Sequence, residues 1–136
     1  MSHQQELLIK THNRGAIEIT QLVRAIVDEF AQKYVLCHVF VTHTSASLMI
    51  TGNEDPDVLL DIEDYFQAQV TDANPNYRHN NEGDFDMSGH IRSILTGESR
   101  TIPIQVGRLA LGKFQGLFLY EHRAGENSRK LIVTLS

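Results

Sequence analysis

Residues 34–50, "YVLCHVFVTHTSASLMI", decide how the chain folds. They are rich in β-branched and aromatic residues, carry no helical spacing, and break into hydroxyl-bearing small residues in the middle. That pattern predicts a central strand, a bend, and a second strand. With a period of two, Val39, Val41 and His43 share one face of the first strand, while His38, Phe40 and Thr42 share the other. His43 therefore arrives at a strand end, followed by Thr44, Ser45 and Ser47.

On the amino-terminal side, residues 4–11 "QQELLIKT" and 15–20 "GAIEIT" read as strands. Thr20 is placed to cap an amphipathic helix whose apolar face holds Leu22, Val23, Ile26, Val27, Phe30 and Ala31. Beyond the central stretch, Asp55-Pro56 signals a helix start, and Val58, Leu59, Ile62, Phe66 and Val70 are its expected buried side. A polar region from Thr71 to Gly89 follows, with Asn74-Pro75-Asn76 as a turn. The segment 90–97 "HIRSILTG" predicts a short helix that ends at Gly97. The stretches "RTIPIQV", "GRLAL", "GLFLYEHR" and "RKLIVTLS" are strand-like and separated by glycines. The expectation is one α+β domain over residues 1–136, with a largely antiparallel sheet and two main helices.

The 136 residues suit a single domain that buries roughly two-thirds of its unfolded surface. A net charge of −5 and no basic stripe interleaved with aromatics argue against a nucleic-acid partner. No signal pattern is visible, and no apolar run approaches the ~20 residues of a membrane span, so the expected location is cytoplasmic, with no membrane partner. The one cysteine, Cys37, lies in an apolar run and reads as a buried, inert thiol. Phosphate-cradling glycine loops, dinucleotide fingerprints and nucleophile elbows do not occur.

Three groups of residues carry chemistry. The first is 43–47 "HTSAS", where small residues and hydroxyls beside His43 would let an anionic phosphate or carboxylate approach. The alternative is a bend whose Ser and Thr satisfy their own backbone. The second is 77–90 "YRHNNEGDFDMSGH", holding His79, Glu82, Asp84, Asp86 and His90 in a stretch that is either a site or a solvated connector. Its histidines can serve as general bases or metal ligands, although the spacing matches no zinc-binding motif. The third is 120–130 "YEHRAGENSRK", where Glu121, Arg123 and Arg129 would suit a phosphate, or form a charged hairpin end. His38 and His122 lie in apolar strand contexts and read as structural.

Taken together, "HTSASL", Asp55-Pro56, "NYRHNNEGDFDMSGHI", "IPI", "GRLALGKFQGLFLYEHR" and "SRKLIVTL" resemble the YjbQ-like family, labelled secondary thiamine-phosphate synthase, from about Gln4 to Leu135. The resemblance implies a homotrimer with its site near subunit boundaries, drawing on His43, His79 and His90 as catalytic groups or metal ligands. Glu82, Asp86 and Glu121 are the implied carboxylates and Arg129 the implied arginine, with Thr44, Ser45 and Ser47 as phosphate-binding hydroxyls. The implied activity joins an aminopyrimidine diphosphate to a thiazole phosphate and releases pyrophosphate. Zinc at the three histidines, or magnesium carried by the diphosphate, is the implied metal. Other readings left open are a metal- or anion-binding trimer with only side activity, and a zinc-dependent hydrolase with Glu82 or Glu121 as general base. Two departures from the family pattern stand out. Gly52 replaces a carboxylate, with Glu54 displaced by about 6 to 7 Å along an extended chain, and Phe114 replaces a tryptophan.

Overall fold

The strand–bend–strand reading of residues 34–50 is realised as a transfer between two sheets. In the computed structural model, which describes residues 1–30 and 33–136, β3 (Leu36–Val41) lies in a five-stranded sheet and β4 (Ala46–Gly52) in a three-stranded one. Cys37, Val39 and Val41 are buried while Leu36 and Phe40 are exposed, as the period of two requires. Residues 42–45 make the crossover, so His43 sits where the chain leaves one sheet for the other.

The larger sheet has the order β1 (His3–Thr11), β8 (Asn127–Leu135), β3, β5 (Ser99–Gln105), β6 (Arg108–Leu109). The smaller has β2 (Gly15–Glu18), β7 (Gln115–Glu121), β4. Every pairing is antiparallel. The expectation of one sheet is thus corrected to two. The physical reason lies in β4 and β7, which are apolar on both faces. Leu48, Leu117 and Leu119 enter the main core with Val23 and Val27 of α1 (Thr20–Phe30) and with Val39 and Leu131 of the larger sheet. Met49, Phe118 and Tyr120 turn the other way and meet Leu59, Ile62 and Phe66 of α2 (Asp57–Gln69). A strand covered on both faces has no polar side to alternate with.

Thr20 does not work as the helix cap expected of it. Its hydroxyl accepts the Leu117 N–H (2.9 Å) and donates to Glu18 (2.8 Å), fastening α1 to the smaller sheet. Ala31, expected on the same helix, lies outside the described residues. Asp55-Pro56 does start α2, with the Asp55 carboxylate accepting the Asp57 N–H at 2.9 Å. None of the residues of α2 is fully buried, and its apolar side is only half covered.

The third helix is the larger correction. α3 runs Asp86–Thr96, as long as α1, so there are three helices among the described residues and the polar connection ends at Phe85. Ser88 and Gly89 are poor helix formers, but Gly89 packs against the crossover. A Cβ at Gly89 would stand 3.4 Å from Ser45 Cβ and 3.5 Å from His122 Cβ. Close packing overrides propensity there, and Asp86 in the first turn complements the helix dipole. The helix ends at Gly97, whose φ of 99° suits glycine.

Candidate functional site

Asp86 and His90 are one helical turn apart and project from the same face of α3. Asp86 is only 4% exposed. Its Oδ2 lies 2.7 Å from His79 Nε2 and 3.1 Å from His90 Nε2, and Glu82 Oε2 is 3.2 Å from the same His79 nitrogen. The two imidazole rings are tilted with centroids 5.3 Å apart. Arg123 closes the other side, its Nε 3.7 Å from Asp86 Oδ1. Burial would raise the Asp86 carboxyl. Contacts with His79 and Glu82 and the charges of His90 and Arg123 outweigh it, and the carboxyl stays below its ordinary range.

One donor atom each from His79, Asp86 and His90 lie within 4.8 Å of one another, the one such group among the described residues. Donors around a tetrahedral zinc ion stand about 3.3 Å apart, so a small adjustment would suffice. Two imidazoles and a carboxylate suit zinc and neighbouring transition metals. Magnesium prefers oxygen ligands and fits this set poorly.

His43 stands outside this group. It lies half-buried in the crossover and lines a cleft of about 540 Å³ together with Thr44, His90, Ser93, Ile94 and Phe40. Its Nε2 is 2.9 Å from the backbone nitrogen of Lys130 in β8. A backbone N–H can only donate, so the lone pair of Nε2 is already used. The expected set of three histidine ligands is thereby divided: the structure brings His79 and His90 together with Asp86, and gives His43 a separate position on the same cleft.

The expected phosphate-binding groups also divide. Thr44 is exposed in the cleft. Ser47 is fully buried, with its hydroxyl on His122 Nε2 (2.8 Å) and Thr96. The period of two turns Ser47 beneath α3, which removes it from any solvent-borne ligand. Arg129 is 5% exposed and grips Glu121, its Nε 2.7 Å from Oε1 and its Nη2 2.5 Å from Oε2. The same Nη2 donates to the Ser45 hydroxyl at 2.9 Å. Glu121 is fully buried and also accepts from Thr11 and from the Arg123 N–H. Burial alone would raise its carboxyl, but these bonds hold it below the ordinary range. With both oxygens taken, Glu121 is no free base; with Arg129 it braces the crossover from below.

Sequence reasoning missed Arg14. Its guanidinium meets the Asp72 carboxylate with two bonds of 2.8 Å, its Nε donates to the His122 carbonyl, and its plane lies 4.5 Å over the Phe85 ring. One side chain thus ties the polar connection to the end of β7. Its partners are far away in sequence, and no local pattern announces them. Gly52, where a carboxylate was expected, pairs with Gln115 at the far end of β4, whereas Ala46 pairs with Glu121 beside the crossover. Six residues of strand separate the two ends by about 20 Å. Within one chain, Gly52 is remote from the His79–Asp86–His90 group.

The two-sheet α+β frame with a histidine–carboxylate cleft defines a family already known. The description YjbQ, "UPF0047 protein YjbQ-like", matches residues 5–136. A UPF0047 protein of Synechocystis is 46% identical over 98% of this chain and 91% of its own length. The UPF0047 protein YjbQ of Escherichia coli O157:H7 is 38% identical over 99% of this chain and 98% of its own. Among solved structures, an uncharacterised YjbQ/UPF0047 protein from Clostridium acetobutylicum superposes with a TM-score of 0.88 at 34% identity, covering 97% and 99% of the two chains. A conserved hypothetical protein from Thermus thermophilus gives 0.86 at 30% identity, covering 97% and 99%. This chain belongs to the YjbQ family. No helix among the described residues is long and apolar enough to cross a membrane.

Proposed function

We propose that this protein is an enzyme acting on a small phosphorylated substrate held in the cleft between His43 and His90. The named candidate joins an aminopyrimidine diphosphate to a thiazole phosphate. In that reaction the thiazole nitrogen forms a bond to the pyrimidine methylene carbon while the C–O bond to diphosphate breaks, and its electron pair leaves with pyrophosphate. A ring nitrogen with no proton to lose needs no general base. The demand falls on groups that stabilise the departing anion.

The observation that supports this reading is the convergence of His79, Asp86 and His90, with Arg123 beside them, at the edge of a cleft large enough for a small molecule. A divalent ion bound by His79, Asp86 and His90 would supply positive charge against the phosphates. The chain contributes the hydroxyl of Thr44 and apolar walls from Phe40 and Ile94 that exclude water from the aromatic rings of the substrate, with the charge of Arg123 beside Asp86. Ile94 is 79% exposed in the single chain, so the proposal includes self-association as a homotrimer that covers this wall.

The test begins with metal content per chain in untagged protein. Wild type and His43→Ala should carry near-stoichiometric zinc or a neighbouring metal, and His79→Ala, Asp86→Asn and His90→Ala should not. Metal-free wild type from metal-replete cells would sink the metal centre. Pyrophosphate release with added magnesium then decides the chemistry. Dependence on both substrates supports the synthase. Release from the diphosphate and water alone would make the protein a hydrolase, and stoichiometric binding without turnover would make it a binding protein.

A further inference from the structure

We infer that His43 is a neutral hydrogen-bond donor to the bound phosphate, held in the Nδ1–H form by the backbone of Lys130. The inference rests on the reading of the cleft as a phosphate site and assigns His43 a role that is neither ligation nor proton transfer.

The argument starts from Lys130. Its N–H points at His43 Nε2 over 2.9 Å, so Nε2 must be the unprotonated nitrogen. A neutral imidazole has one proton, and it must then sit on Nδ1. Among the described residues Nδ1 has no hydrogen-bond partner, and the half-buried ring forms part of the cleft wall beside the exposed Thr44 hydroxyl. His43, with this unpartnered nitrogen, and the adjacent Thr44 line the same cleft. Neither ring nitrogen of this tautomer offers a lone pair to a metal.

The surroundings keep the ring neutral. Protonating Nε2 would set two donors against each other at Lys130. Burial, then the charges of Arg129 and Lys130, lower the His43 pKa, with Glu121 opposing them. Those same cations favour a phosphate oxygen next to the ring. A neutral donor has a further advantage for an anion that must leave: it stabilises charge without a proton to surrender.

Two measurements test this. Long-range ¹H–¹⁵N correlation of histidine-labelled protein near neutral pH should show His43 with a pyridine-like Nε2 and a pyrrole-like Nδ1. The reverse tautomer, or a cationic ring, overturns the inference and leaves the metal centre untouched.

The second uses a crossed pair of variants and inorganic pyrophosphate as probe, by calorimetry with magnesium. Asparagine places an amide donor where Nδ1 stands but gives Lys130 no partner. Glutamine offers Lys130 an acceptor where Nε2 stands but has no donor at Nδ1. His43→Asn should bind pyrophosphate within about threefold of wild type, and His43→Gln should lose about tenfold or more, the usual effect of one bond to a charged group. Equal losses, or the reverse order, would reduce His43 to a structural support. Absence of pyrophosphate binding in wild type overturns the phosphate reading itself, and the donor role with it, whatever the tautomer.

Discussion

Arg14 and Asp72 face each other across two hydrogen bonds of 2.8 Å, and this pair fastens the start of the polar connection that carries His79. Both side chains are nearly covered, at 11% and 12% exposed. Ser88 of α3 also donates to Asp72, so the pair joins the start of the polar connection to the helix that carries Asp86 and His90. Burial would raise the Asp72 carboxyl, but the bonds from Arg14 and Ser88 and the charges of Arg14 and Arg92 keep it low.

Replacing Arg14 by lysine keeps the charge and loses the planar fork, the bond to the His122 carbonyl and the stacking on Phe85. Arg14→Lys should cost about 1–3 kcal/mol in urea unfolding. Amide exchange should rise selectively across residues 71–85, and metal affinity should fall with it. Uniform exchange changes throughout the chain would show that the pair is not a local clamp.

Acid stability should be governed first by a histidine outside the site. His122 is fully buried. Burial, then the charges of Arg92, Arg14 and Arg129, push its pKa down to about 3. An unfolded histidine takes up its proton near pH ~6.5, so stability should fall as pH drops below that value, by up to ~1.4 kcal/mol per pH unit. Asp72, Asp86 and Glu121 have lowered carboxyls, and their contribution is lost only below about pH 4. Urea midpoints between about pH 7.5 and about pH 5 should therefore shift clearly in wild type and less in His122→Gln. An unchanged slope in the variant would exclude His122 as the source.

Val106 offers a stabilising substitution. It is a fully exposed β-branched residue with φ of 49°, followed by Gly107 at 74°, in the two-residue turn between β5 and β6. Left-handed backbone costs an L-residue roughly 1–2 kcal/mol, and asparagine tolerates it far better. Val106→Asn should raise stability by about 1 kcal/mol without touching the cleft. A lower thermal midpoint would mean that Val106 has an apolar partner outside the single chain.

Gly52 tests what the departure from the family pattern means. Its backbone is not in the left-handed region, and an added Cβ would make only ordinary contact, 3.9 Å from Val58. Gly52→Glu should therefore fold with stability within about 1 kcal/mol of wild type. Unaltered activity would show that the carboxylate is dispensable here. A gain in activity, given how far Gly52 lies from the cleft within one chain, would place this strand end at the cleft of a second copy.

Much of this molecule was readable from periodicity and punctuation. Strand alternation at Cys37, Val39 and Val41, the Asp55-Pro56 helix start and the Gly97 stop are local rules. Local rules survive folding when nothing stronger opposes them. The 77–90 stretch was legible as either a site or a connector, because its donors are crowded in sequence as well as in space. What failed locally was overruled by packing. Gly89 is helical where α3 packs closely on the crossover, and Thr20 spends its hydroxyl on β7 rather than on its own helix.

The sequence by itself determined the α+β class, the family and the stretches that hold the chemistry, since each depends on residue type and near-neighbour spacing. Tertiary structure alone decided which donors meet. It joined His79 and His90 through Asp86, sealed Ser47 and Glu121 in the interior, and matched Arg14 to Asp72. It also set the Lys130 N–H against His43. Hydrogen bonds act over about 3 Å, and only the packing of two sheets and three helices brings residues from distant parts of the chain within that reach.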